Sequence, residues 1–62
     1  MYTRLTKLCI GDKVNRYGNQ DFTVLDILGY DYNSEGETLA ITVETEHGTA
    51  RFDRSVFGYV TR

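Results

Sequence analysis

The chain has no proline, no tryptophan and a single cysteine among its 62 residues. One thiol forms no intrachain disulfide, and with one histidine it builds no Cys/His zinc cluster. Cohesion must come from the core, although a domain of this length buries only roughly 60% of its unfolded surface. No apolar run exceeds three residues, the length of Leu8-Cys9-Ile10, far short of the ~20 residues of a membrane helix. No apolar leader precedes it, so the lone thiol makes a reducing cytoplasm the expected setting. Met1 reads as an initiator, and a complete small reading frame is the expectation. An apolar fraction of 40% without proline argues against disorder.

Positive charge is missing from the middle. Between Arg16 and Arg51 there is no lysine or arginine, while Asp21, Asp26, Asp31, Glu35, Glu37, Glu44 and Glu46 supply seven carboxylates. Residues 1–16 carry Arg4, Lys7, Lys13 and Arg16 against Asp12, and residues 51–62 carry Arg51, Arg54 and Arg62 against Asp53. The net charge of −2 thus conceals a basic–acidic–basic chain. If folding joins the two ends, a basic pole forms apart from an acidic one, and local fields outweigh net charge over a Debye length of about 8 Å.

What is present is strand pattern. Leu39, Ile41 and Val43 alternate with Ala40, Thr42 and Glu44, and Ala50 and Phe52 continue in phase after a turn at His47-Gly48. A hairpin over residues 38–52 follows, with Glu44 and Glu46 toward solvent and Arg51 diagonally across from one of them. A second hairpin joins residues 13–17 to 22–28 through Gly18-Asn19. Regular alternation there would bury Asp26 with Phe22 and Val24, so a bulge near Leu25-Asp26 is predicted. Residues 29–37 read as a polar loop and 53–57 as one 3₁₀ turn, followed by a closing strand at 58–61. The first eleven residues fit helix or strand.

Five short strands with a 3₁₀ turn before the last predict an all-β domain spanning residues 1–62. Gly11-Asp12-Lys13-Val14, Phe22-Thr23-Val24 with Ile27, and Phe52…Val56-Phe57-Gly58-Tyr59-Val60 resemble the SH3-like small barrels, including KOW and Tudor-like modules and small bacterial and phage proteins. That resemblance implies a five-stranded barrel in which the first and last strands are neighbours. It carries fold, not activity.

Leu28-Gly29-Tyr30-Asp31-Tyr32 with Glu37-Thr38-Leu39 looks like the ALYDY…EL stretch of eukaryotic SH3 domains. Here only thirty residues follow Tyr32 and tryptophan is absent, so that family's proline-peptide groove is not assembled. Asp31, Asn33, Glu35 and Gly36 match the opening of a calcium loop, but Thr42 stands where its bidentate glutamate belongs. A solvated turn is the expectation, and no metal or cofactor is assigned. Cys9 reads as a small buried hydrophobe rather than a partner for His47, and no nucleophile motif or P-loop is present. The chain reads as no enzyme.

Two binding functions are expected instead. The first is a protein-binding module or small regulator using Tyr30, Asp31, Tyr32, Glu35 and Glu37 against a basic partner. Similar stand-alone modules occur among phage regulators of host machinery, which makes such an origin the expectation. The second is a KOW-like nucleic-acid contact on the basic pole, through Arg16, Tyr17, Arg51 and Arg54, where rings stack on bases and cations meet phosphates. Neither partner involves a membrane.

Overall fold

The computed structural model describes residues 1–16 and 20–62, and its regular elements are strands apart from one 3₁₀ turn. Strand β1 spans Tyr2–Arg4, and the 3₁₀ turn spans Leu5–Lys7. Strands β2 (Lys13–Asn15), β3 (Phe22–Tyr32), β4 (Thr38–Thr45), β5 (Gly48–Asp53) and β6 (Phe57–Thr61) follow. They form an antiparallel sheet in the order β1-β6-β2-β3-β4-β5. The all-β expectation holds, as does the adjacency of first and last strands. Among the described residues the sheet has six strands rather than five, and its end strands β1 and β5 are not paired.

The additional strand comes from the segment whose pattern fitted both helix and strand. Tyr2, Thr3 and Arg4 extend along β6, opposite Tyr59, Gly58 and Phe57. The chain then tightens into the 3₁₀ turn, and Leu5 and Leu8 enter the core. Val14, Phe22, Val24, Ile41, Val43, Phe52 and Val60 complete it. Each fully buried aliphatic side chain contributes about 1.5–3 kcal/mol, which is how so short a chain holds together. Gly58 permits close approach: a Cβ there would meet Leu5 Cδ2, Asn15 O and Arg16 Cγ at 3.2 Å.

The predicted bulge is present. Val24 faces Thr45 and Asp26 faces Glu44, so Leu25 is the additional residue on β3. Val24 is buried, Ile27 packs against the core and Asp26 is exposed. The Asp26 carboxylate instead accepts the Ile27 N–H at 2.8 Å. A second shift between Ile27 and Gly29 leaves Leu28 exposed.

Four local expectations are corrected. Residues 29–32 belong to β3 and pair with β4, so the loop shortens to 33–37. Backbone hydrogen bonds satisfied by a neighbouring strand outweigh the local turn preference of glycine. Residues 54–56 form a single turn, because the Asp53 carboxylate takes the Ser55 N–H at 2.9 Å; the 3₁₀ turn lies at the other end of the chain. The β4–β5 turn centres on Glu46-His47, with Gly48 taking the positive φ of 105°. Cys9 is exposed and Asp12 buried, the reverse of their apolar and charged characters. Asp12 folds inward because it accepts the Cys9 N–H at 2.8 Å and the Arg62 Nε–H at 3.2 Å. The Gly18-Asn19 turn and the end of its strand at Tyr17 lie outside the described residues.

Candidate functional site

Strand alternation decides what β1, β6 and β2 show to solvent. Val14 and Val60 face one another in the core, so Lys13, Asn15, Tyr59 and Thr61 face outward. Register across β1 adds Tyr2 opposite Tyr59 and Arg4 opposite Phe57. Three aromatic rings therefore share one outer face, with exposures of 60% for Tyr2, 40% for Phe57 and 56% for Tyr59. The Tyr2 and Phe57 ring centroids are 5.6 Å apart with planes 17° from parallel, and Tyr2 and Tyr59 are 4.9 Å apart and tilted. The Arg4 guanidinium lies over the Phe57 ring, 5.8 Å from its centroid. Among the described residues, these outward positions hold two cations, Arg4 and Lys13, and no carboxylate.

The face continues past Lys13 into a shallow cleft of about 330 Å³, whose lining includes Lys13, Asn15, Asp21, Thr23, Glu46 and Thr61. Its far wall is acidic. Glu46 accepts the Thr23 N–H at 2.6 Å, and this bond holds its carboxyl below the usual glutamate range. Asn15 donates its amide to the Asp21 carboxylate, and the His47 Nε2 lies 2.8 Å from the Asp21 carbonyl oxygen. A second hollow of about 230 Å³ lies over Phe22 and Phe52, where the Arg16 guanidinium sits 5.5 Å from the Phe52 centroid.

The predicted tyrosine site is only partly assembled. Tyr30 and Tyr32 are exposed and stack with centroids 6.0 Å apart, yet they stand on a strand rather than a loop. Asp31 is neutralised by Arg51, whose Nη2 lies 2.8 Å from Oδ2; Arg51 thus reaches across β4 instead of pairing with Glu44 or Glu46. Asn33 organises the shortened loop: its Oδ1 accepts the N–H groups of Glu35 and Glu37, and its Nδ2 donates to Glu37. That amide bond, ahead of the Glu35 side chain and the charge of Arg54, lowers the Glu37 carboxyl from its ordinary value. With Asp31 on Arg51 and Asn33 on backbone, the oxygens of the calcium-like stretch are turned to other partners.

The predicted nucleic-acid residues are not brought into one cluster by shared contacts. Arg16 covers Phe52, Arg51 pairs with Asp31, and Arg54 sits in the β5–β6 turn with its N–H on the Leu39 carbonyl. Tyr17 lies outside the described residues. Phe52 is core.

Sequence reasoning placed none of Tyr2, Phe57 and Tyr59 in a binding site. A signal was there: in Phe57-Gly58-Tyr59-Val60 the small and β-branched residues alternate with the rings, and period two puts Gly58 and Val60 inside. No helix among the described residues is long and apolar enough to cross a membrane. No protein-family model, curated protein or solved structure matches the chain.

Proposed function

We propose that this protein is a non-enzymatic binding module that holds nucleic acid on the outer face of β1, β6 and β2. The observation that carries this reading is the set of exposed Tyr2, Phe57 and Tyr59 rings beside Arg4 and Lys13, without a carboxylate among the described outward positions. Rings offer stacking surface and cations offer phosphate contacts, the two parts such an interface requires. A net charge of −2 does not oppose it, since the carboxylates lie mainly on the β3–β4–β5 side. An SH3-like, KOW-like arrangement of β2–β6 belongs to the proposal. It is supported by the order β6-β2-β3-β4-β5, in which β6 lies beside β2. A cytoplasmic setting is read from the lone thiol.

The test is retention on immobilised nucleic acid at low salt. Wild-type protein is retained, Arg4→Glu/Lys13→Glu is lost, and Arg54→Glu behaves as wild type. Failure of the wild-type protein to bind, or indifference to the double charge reversal, overturns the proposal.

A second reading, a protein-binding regulator of phage type, is favoured by the exposed Tyr30–Tyr32 stack. A pull-down from the source cell with wild type and Tyr30→Ala/Tyr32→Ala tests it. A specific protein partner lost with both rings supports this reading, and one indifferent to them removes the site.

A further inference from the structure

We infer that the β1–β6–β2 face takes single-stranded nucleic acid, two or three nucleotides at a time, rather than duplex. The inference rests on the nucleic-acid reading above and adds the strand form. Rings on an open sheet can be used only by bases that offer a bare π face. Within a duplex those faces are covered by neighbouring pairs, whereas a single strand can splay them onto Tyr2, Phe57 and Tyr59.

The dimensions agree. Three strands spaced roughly 4.8 Å apart make a platform about 10 Å across, room for a few bases but not for the flank of a duplex. One side ends at the free edge of β1. The other runs past Lys13 into the cleft walled by Asp21 and Glu46, whose carboxylates repel a continuing phosphate chain. Glu46 is pinned there by the Thr23 N–H.

Charge points the same way. A duplex binder that depends on phosphates makes roughly six to ten such contacts. This face supplies Arg4 and Lys13, so stacking must carry most of the affinity. The Arg4 guanidinium already lies over Phe57, 5.8 Å from the ring centroid, where it can still meet a phosphate. Base edges find few readers, because the Asn15 amide is committed to Asp21. The contact is therefore tolerant of sequence.

The experiment titrates the intact chain with short oligothymidylate, short oligouridylate and a blunt hairpin duplex, following backbone amide shifts of β1, β2 and β6 by NMR. Binding of either single strand supports the inference, and their ratio separates DNA from RNA as the source. Tyr2→Ala and Tyr59→Ala each lower single-strand affinity about tenfold, and log K falls with log salt at a slope of about −1.4 for two phosphates. Both rings are exposed, and circular dichroism verifies that the variants remain folded. Duplex binding of equal strength that needs Arg4 and Lys13 but ignores Tyr2→Ala and Tyr59→Ala overturns the inference and leaves the nucleic-acid reading standing. Absence of binding to all three probes overturns both.

Discussion

The two tyrosine-bearing regions of this molecule carry similar side chains and differ in what their neighbours do. On the outer face of β1 and β6, Tyr2 and Tyr59 stand with Phe57 beside Arg4, whose cation engages a ring. At the far end of β3, Tyr30 and Tyr32 flank Asp31, whose charge is already taken by Arg51. Among the described residues the cations of the first region form no ion pair, whereas the charge of the second is paired internally. An aromatic–charged motif in sequence is therefore ambiguous until the cross-strand neighbours are known.

Both regions depend on one core, and the largest expected effect removes the distinction between them. Leu5→Ala should cost about 2–5 kcal/mol, since Leu5 is fully buried under Gly58 and its 3₁₀ turn packs on β4 and β5. Thermal unfolding by circular dichroism should show a single transition shifted far downward. Separate transitions for the two regions would break the view of one cooperative unit.

Gly58→Val acts first on the strands that carry the aromatic face. A branched side chain would press on Leu5 and on the fixed Asn15 carbonyl, at a cost of about 1–3 kcal/mol. Amide shifts should move along β1, β2 and β6 and stay near wild type around Tyr30 and Tyr32.

Arg62→Ala should cost about 1–2 kcal/mol, measured by urea unfolding. Among the described residues it leaves the buried Asp12 carboxylate with the Cys9 N–H, and the figure is kept low because Arg62 itself is half exposed. Asp12→Asn/Arg62→Ala should recover part of the loss, since no buried charge remains.

Arg51→Ala sharpens the contrast at the other end. Its bridge to Asp31 is solvent-exposed on both sides, so stability should change by less than about 1 kcal/mol. Asp31 is then freed, and any cationic partner of the Tyr30–Tyr32 end should bind more tightly.

The smallest effect is in acid. Glu37, Glu46 and Asp53 all have carboxyls lowered from their ordinary values, first by hydrogen bonds from Asn33, Thr23 and Ser55 respectively. A carboxyl depressed in the folded state stabilises above its unfolded value, and that contribution is lost as pH falls through the depressed one. The turns at 33–37, 46–47 and 53–56 should therefore loosen below the ordinary carboxylate range while the aromatic face is unchanged. Amide exchange against pH measures this.

The sequence by itself determined the all-β class, the 38–52 hairpin and a bulge near Leu25-Asp26. Each follows from period-two patterning or from the cost of burying a charge such as Asp26, and both are local to a few residues. Only the tertiary structure decided the rest. That Tyr2, Phe57 and Tyr59 gather on one outer face beside Arg4 depends on the register that lays β1 along β6. That Arg51 answers Asp31 depends on register across three strands, and that Asp12 is buried depends on Arg62, fifty positions away in the chain. These are long-range contacts, and a single chain read in order contains the partners but not the distances that join them.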